Sequence, residues 1–314
     1  MQSSIFTVSF FVSLIASTIR LATPILIPAL GQIYTQRSGI LNLGVEGTML
    51  MGAVAGFSVA AGTGSLWLGV LGGIITGMLF SLIFAWLTVT VGANQVISGI
   101  GLNILASGLA AFIYRVIFGI RSLPAQIESF KPIDFGPLSQ MPVLGPILFQ
   151  HNWLVYFAFL LVPVTWFFME KTTYGLKIKA VGENPRAADS KGINVGKIRY
   201  SAVLLGGAYA GLGGAFMTIA YLNQFTETVI GGRGYIAVSV VILARFIPSR
   251  AALGALIFGF FTASQLRLQA QGVNFPSQLL LALPYAATIV ALIFASKDAA
   301  MPSAYAQPYS RMER

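Results

Sequence analysis

Long runs of hydrophobic residues, separated by short polar segments, recur along almost the whole chain of 314 residues. A helix that crosses a bilayer needs about 20 predominantly apolar residues. Nine such runs, within a range of eight to ten, predict membrane-spanning helices. They lie near residues 4–30, 43–61, 65–91, 95–119, 152–170, 200–222, 234–248, 251–268 and 277–295. The predicted fold class is all-α: residues 1–314 form one polytopic transmembrane helical bundle.

Composition supports this class, because 56% of the residues are hydrophobic and only 9% are charged. A soluble domain cannot hide that much apolar surface. The 34 glycines predict helices that pack closely. Residues 1–19 lack a basic leader and a clear cleavage site, so we interpret them as a retained first helix rather than a cleaved signal. In the same run, Arg20, Pro24 and Pro28 predict either an early end or a kink.

Basic residues are concentrated in one charged segment, Lys171 to Arg199, which holds seven of the nineteen Lys and Arg residues. Because basic loops are retained in the cytoplasm, we expect residues 171–199 to form a cytoplasmic loop. Alternation then predicts an external N-terminus, a cytoplasmic C-terminus and a proline-rich external loop at residues 120–151. This loop is either an ordered cap or a tether. Positive-inside topology also accounts for the net charge of +10, so we expect no nucleic acid partner.

Several kinds of chemistry are not expected. The chain has no Cys, and the single His151 offers no zinc constellation, so no metal site is predicted. The string nearest to a phosphate-binding loop, Gly192 to Ile198, has the wrong spacing and no Ser or Thr after its Lys. With no nucleophile-base pair and no pair of intramembrane carboxylates, we predict no catalytic residue, no cofactor on this chain and no enzymatic activity.

A glycine-rich stretch after Arg37 contains an acidic residue, Glu46, among positions assigned a structural or conformational role. A charge at mid-bilayer costs about 2.5–3.5 kcal/mol, so Glu46 requires a partner, either Arg37 or backbone donors at a helix start. Glu46 either caps a helix at the inner interface or takes part in conformational coupling or permeation. The residues given this role are Asn42, Gly44, Glu46 and Gly47.

Three polar residues within apolar runs are candidates for the translocation path: Asn103, Tyr209 and Gln265. Asn103 either forms a hydrogen bond between helices or lines a polar path. Residues 221–235 are too polar to cross lipid and belong at the outer mouth or in a re-entrant turn. There, Glu227 and Arg233 either pair with each other or receive a binding protein.

The charged segment contains a candidate docking element. A helix-breaking turn is followed by Pro185 and small residues that favour a short, slim helix, which Gly192 ends. From the residues alone, this element either docks a partner or is a solvated loop that only fixes topology. Its members are Gly182, Glu183, Asn184, Pro185, Arg186, Ala187, Ala188, Lys191 and Gly192.

Four motifs occur in the order seen in one group of transporters: SGILNLGVEGTMLMGA, GANQVISGIGLN, TYGLKIKAVGENPRAADSKGI and GGRGYIAVSVVILARFIPSRAALGA. From about residue 20 to 295, the chain resembles the ABC importer permeases of the branched-chain amino acid, ribose and simple-sugar family. Within it, the chain is similar to the nucleoside-uptake subgroup. The resemblance implies a permease for a small polar solute, most readily a nucleoside or simple sugar, in the bacterial cytoplasmic membrane.

The resemblance also implies partners. Residues 182–192 match the family's coupling region, which docks into a groove on a separate cytoplasmic ATPase that binds ATP and magnesium. A second permease subunit, identical or different, and an extracytoplasmic solute-binding protein complete such an importer. Two departures are present: Gln95 stands where many relatives have Glu, and residues 239–245 form a variant ending. No substrate contact is therefore transferred through position 95.

Two other functional classes are weighed against this one. A secondary carrier or channel works without ATP and normally has intramembrane carboxylates or His residues for ion coupling, a role that only Glu46 approaches here. An integral-membrane enzyme lacks its catalytic constellation in this sequence. Uptake measured with and without an ATPase distinguishes a secondary carrier or channel from an ABC importer. Substrate turnover by the purified chain tests for an enzyme.

Overall fold

A computed structural model describes residues 8–120, 123–270, 282, 286 and 301–310 of the chain. The start of the first predicted span, residues 4–7, lies outside the described residues. So does the ninth predicted span near residues 277–295, apart from positions 282 and 286. The basic residues Arg121, Lys297, Arg311 and Arg314, which entered the topology prediction, also lie outside them.

The described part of the chain contains ten α-helices and no β-strand. They are α1 (Val8–Arg37), α2 (Val45–Thr63), α3 (Leu66–Ala85), α4 (Gln95–Phe118), α5 (Trp153–Lys171), α6 (Thr173–Glu183), α7 (Pro185–Ser190), α8 (Val195–Ala215), α9 (Arg233–Leu243) and α10 (Pro248–Ala270). Wider π-helical turns at Trp86–Thr90 and Phe216–Tyr221 extend α3 and α8. The predicted all-α bundle is confirmed.

Seven of these helices, α1, α2, α3, α4, α5, α8 and α10, are long and apolar enough to cross a membrane within the described residues. The exception among the predicted spans in this part is the one near residues 234–248. It is α9, a helix of 11 residues. At 1.5 Å per residue, α9 rises about 16 Å, roughly half of a 30 Å hydrocarbon core. The prediction of a full span there is wrong, because its apolar run includes the turn that leads into α10.

The first helix, α1, lies at the centre of the bundle. It continues through Pro24 and Pro28 to Arg37, so the expected early end is wrong. Residues 21–36 are buried by α5, α8, α9 and α10. The Thr23 hydroxyl donates to the Ile19 carbonyl at 2.9 Å, next to the turn that Pro24 perturbs. Packed neighbours and hydroxyl side chains of this kind allow prolines inside membrane helices.

Glycines bring α2, α3 and α8 into backbone contact. A methyl group added at Gly52 would lie 2.5 Å from the Cα of Gly211, and one added at Gly73 would lie 3.0 Å from the Gly52 carbonyl oxygen. No side chain fits between helices at this separation. The close packing predicted from the glycine content is therefore found at this three-helix contact, where dispersion replaces the hydrophobic drive that lipid removes.

The two ends of the bundle collect different polar contacts. At one end, Arg37 Nη1 lies 3.9 Å from Glu183 Oε1, and the Arg37 guanidinium lies 5.0 Å from the centre of the Phe246 ring. At the opposite end, Arg115 Nη2 lies 2.9 Å from Glu227 Oε1. This grouping agrees with the predicted alternation: residues 171–199 share an end with Arg37, away from Glu227.

The described part of the predicted external loop, residues 123–151, packs onto the bundle. Gln126 forms an antiparallel bridge with Gln224, and Phe130 packs edge-on against Trp67 at a centroid distance of 5.1 Å. His151, the last residue of this segment, is buried, with Nε2 2.8 Å from the Ile147 carbonyl oxygen. Burial lowers the pKa of His151, although this carbonyl contact acts in the opposite direction. Of the two alternatives, an ordered cap or a tether, these contacts favour the cap.

The glycine contact leads to a prediction. Replacing Gly211 with Ala places a methyl group against the Gly73 carbonyl and the Gly77 Cα, so we expect a loss of about 1–3 kcal/mol in the free energy of unfolding. Thermal unfolding of the purified protein in detergent measures it. Gly62→Ala is the matched control, because no atom lies within 4 Å of its added Cβ. Equal stability of the two variants would contradict the assigned contact.

Candidate functional site

The charged segment between α5 and α8 is helical. The Thr172 hydroxyl oxygen accepts from the Gly175 N–H at 3.1 Å and starts α6. The Asn184 side-chain oxygen accepts from the Ala187 N–H at 3.0 Å and starts α7, with Pro185 in the first helical position. The helix start predicted at Pro185 is confirmed. The helix-breaking turn predicted before it is reduced to one residue, because Gly182 belongs to α6.

The members of the candidate docking element do not all face outward. Ala187 is exposed, whereas Ala188 is 4% exposed and belongs to the core around α1. Gly182 is also buried, and a methyl group there would collide with the Arg37 carbonyl oxygen. Both small residues serve packing within the chain, which corrects the expectation that Ala188 keeps α7 slim for a partner. Most of the remaining members are exposed: Glu183, Asn184, Arg186, Ala187, Lys191 and Gly192.

Gly192 follows α7 with a φ of +81°, the left-handed conformation that glycine adopts at low cost. Its N–H donates to the Asp189 carbonyl at 2.9 Å. Two residues later, the Asn194 side chain accepts from the Lys197 N–H at 2.9 Å and starts α8. The short helix is therefore bounded on both sides by capped turns, as the sequence predicted for its end at Gly192.

A C-terminal segment, residues 301–310, joins the end of α6 to the turn that follows α1. The Gly182 carbonyl accepts from the Ala304 N–H at 3.0 Å, and the Gly39 carbonyl accepts from the Ala306 N–H at 2.9 Å. Glu183 Oε2 accepts from the Ser303 hydroxyl at 3.2 Å. Sequence reasoning missed this segment, since its backbone contacts leave no residue pattern.

Glu46 is in the first turn of α2, and its side chain contacts the beginning of α9. The N–H groups of Gly232 and Gly234 donate to its Oε1 and Oε2, each at 2.7 Å. Of the two predicted partners, the structure places backbone donors of a helix start here and pairs Arg37 with Glu183 instead. A carboxylate at this position satisfies N–H groups that a helix leaves unpaired and complements the positive end of its dipole.

Three further polar residues fix the break between α1 and α2. Asn103 Oδ1 accepts from the Gly47 N–H at 2.8 Å, and its amide donates to the Leu43 carbonyl and the Tyr235 hydroxyl at 2.9 and 2.7 Å. Asn42 accepts from the Gly44 N–H at 2.8 Å. We call the set Asn42, Glu46, Gln95, Asn103 and Tyr235 the break cluster. Gln95 joins it through its Oε1, which accepts from the Leu41 N–H at 2.7 Å.

The structure does not bring together the three residues predicted for a path. Asn103 lies between α2, α4 and α9. The Tyr209 ring is 5.8 Å from the Tyr34 ring, centroid to centroid, among α1, α5 and α8. Gln265 is buried near the far end of α10. Tyr235 was missed, although a tyrosine two residues after Gly232-Arg233 in a polar stretch was an available signal.

The predicted pair between Glu227 and Arg233 is not formed. Glu227 pairs with Arg115 at the end of α4, and the Arg233 guanidinium donates to the Ile230 carbonyl at 2.7 Å. Arg233 begins α9 inside the bundle, because residues 229–232 turn inward from the outer end. Of the two expectations for residues 221–235, this inward turn favours the re-entrant one.

Comparisons with known proteins agree on one family. A family model described as branched-chain amino acid transport system / permease component matches residues 14–293. A putative glucose ABC transporter permease of Haloferax volcanii is 38% identical over 96% of this chain and 99% of its own length. A guanosine ABC transporter permease of Bacillus subtilis is 35% identical over 96% of this chain and 97% of its own.

One solved structure shows the same fold at low identity. It is an inward-facing conformation of a putative metal-chelate type ABC transporter, with a TM-score of 0.51 and 14% identity. The match covers 90% of this chain and 84% of that one. At this identity, the likeness supports the arrangement of helices alone.

The contact between Glu46 and α9 leads to a second prediction. Glu46→Gln keeps one acceptor oxygen but turns an amide donor toward the second N–H, so we expect a loss of about 1.5–3 kcal/mol in stability, the usual range for hydrogen bonds to charged groups. Glu227→Gln makes the same chemical change in an exposed ion pair and is expected to cost at most about 1 kcal/mol. Thermal unfolding in detergent compares them. A Glu46→Gln variant as stable as Glu227→Gln would show that Glu46 does not hold α9.

Proposed function

The chain belongs to the branched-chain amino acid transport system permease family, as the permease subunit of an ABC importer, and we propose that its solute is a nucleoside or a simple sugar. The observation that carries the proposal is similarity over almost the full length to permeases named for glucose and for guanosine. Both solutes are small, neutral and rich in hydroxyl groups. Finer selectivity is assigned to a solute-binding protein that delivers the solute.

The coupling helices α6 and α7 supply the mechanical connection. We assign to α7 the role of entering a groove on a cytoplasmic ATPase subunit, which binds ATP and magnesium. The exposed Asn184, Arg186 and Ala187 form its outer surface, while the buried Ala188 packs α7 into the core and Gly182 of α6 lies against Arg37 at the end of α1. A force applied to α7 is therefore delivered to the centre of the bundle rather than to a loose loop.

A second permease subunit, identical or different, is proposed to cover α4. The outer face of α4 exposes Ile97, Ile104 and Phe112, and Tyr235 beside it is 44% exposed. A polar hydroxyl and the Asn103 amide within this apolar face favour a protein-lined path over lipid. Asn103 and Tyr235 are the residues we assign to that path.

We propose that the chain lies in the bacterial cytoplasmic membrane. In the predicted orientation, α6, α7 and residues 301–310 face the cytoplasm. The cap at residues 120–151 and the Arg115–Glu227 pair then face the solute-binding protein. In alternating access, closure of the ATPases on ATP moves α6 and α7, and the break cluster lies where the helices that move relative to each other meet.

A transport assay tests this function. Vesicles with the permease pair, its ATPase and solute-binding protein are expected to take up labelled nucleoside or hexose only with internal ATP. Ala187→Trp is expected to reduce solute-stimulated ATP hydrolysis at least about tenfold, because a large ring blocks entry into the groove. Ala61→Trp, the same change at an exposed position at the far end of α2, is the control.

Accumulation driven by an ion gradient without an ATPase would replace the importer with a secondary carrier. Undiminished ATP hydrolysis by Ala187→Trp would remove α7 from the docking surface but leave the transport function intact.

A further inference from the structure

A buried arginine near α7, Arg199, has hydrogen-bond partners for only part of its guanidinium group. Arg199, in the second turn of α8, is 1% exposed. Its Nη1 donates to the Gln307 carbonyl at 3.0 Å. Its Nε and Nη2 are buried and have no hydrogen-bond partner among the described residues. A buried guanidinium with two unmet donors is costly, since lost solvation is not replaced by hydrogen bonds or an opposite charge.

The guanidinium adjoins open space. A cavity of about 250 Å³ lies between the start of α7 and the C-terminal segment, lined by Asn184, Pro185, Arg186, Arg199, Gln307 and Tyr309 among others. A neighbouring cavity of about 210 Å³ also includes Arg199 and Tyr309 in its lining. Arg199 therefore contributes to the walls of both cavities, beside the exposed part of α7.

The two cavities have the acidic residues Glu183 and Asp189 in their walls, and neither forms a hydrogen bond with Nε or Nη2 of Arg199. Both oxygens of Glu183 are engaged, one with Arg37 and the other with Ser303. The surrounding segment is cationic, with seven Lys and Arg residues between positions 171 and 199. The chemistry of the site is therefore that of a receptor for an anion, and a planar guanidinium favours a carboxylate held by two parallel hydrogen bonds.

We propose that an acidic side chain of the ATPase subunit enters this cavity and pairs with Arg199, so that the docking surface consists of α7 together with residues 301–310. The proposal rests on the proposed coupling function. It adds Arg199 as a specific binding residue, and residues 301–310 as a second part of the docking surface beside α7. In the isolated permease the charge of Arg199 is uncompensated within the described part of the chain, and it becomes compensated when the ATPase binds.

Cross-linking tests whether residues 301–310 belong to the docking surface. The chain has no cysteine, so single cysteines at Ala187 and at the exposed Gln307 can each carry a photoreactive maleimide. With the assembled importer, both positions are expected to cross-link to the ATPase, and a cysteine at Ser65, beyond α2, is not. Cross-linking from 187 without 307 would overturn the inference while the coupling function stands. Cross-linking from neither would count against the coupling function itself.

Substitution tests the cation. Arg199→Gln in the purified permease pair is expected to leave thermal stability equal or higher, because an uncompensated buried charge is removed, and to weaken ATPase binding at least about 30-fold. Arg199→Lys is expected to bind the ATPase with an affinity between those of the unsubstituted permease and Arg199→Gln, because an ammonium group cannot form the two parallel hydrogen bonds of a guanidinium. Glu313→Gln, which neutralises the acidic side chain that follows residues 301–310 in the sequence, is expected to bind the ATPase normally.

Two outcomes would contradict the proposal. The first is lower stability of Arg199→Gln with unchanged ATPase affinity, which would make Arg199 an internal structural residue. The second is an effect of Glu313→Gln equal to that of Arg199→Gln, which would identify the partner carboxylate as one of this chain.

Discussion

The structure depends on satisfying backbone polar groups where helices end inside the bundle. Away from water, an unpaired N–H group costs several kcal/mol, so an interrupted helix needs a side chain at its end. The interruption between α1 and α2 is closed by Asn42, Gln95 and Asn103, and the start of α9 by Glu46. Each of these side chains accepts a hydrogen bond from a backbone N–H group. The break cluster therefore fixes the segment between α1 and α2, the start of α2 and the start of α9, which are rich in glycine.

A series of contacts runs from α6 to the break cluster. Glu183 at the end of α6 approaches Arg37 at the end of α1, and the Arg37 guanidinium lies over the Phe246 ring just after α9. The other end of α9 binds Glu46. In the proposed coupling role, a displacement of α6 would be transmitted to Glu46 through this ion pair, this cation–π contact and α9.

The length of the apolar runs predicted the long helices well. A run of 20 apolar residues has few alternatives in lipid, and the starts at Asn94, Asn152 and Asn194 agree with side chains that cap local N–H groups. Length misled at α9, where residues 234–248 contain a turn formed by Arg245 and Phe246 with φ of +51° and +60°. Neither residue signals a turn, because left-handed conformations of such side chains are imposed by surrounding packing.

The sequence by itself determined the all-α membrane class, the position of the cationic segment at residues 171–199 and the need of Glu46 for a partner, because the cost of burying charge and the gain from burying apolar surface depend on residue type. Only the tertiary structure decided which partner each polar group takes. Glu46 meets two N–H groups 186 and 188 positions away, and Arg199 meets a carbonyl 108 positions away. It also decided that Ala188 faces inward while Ala187 faces outward. Backbone donors carry no sequence identity, so contacts made through them appear only when the helices are packed.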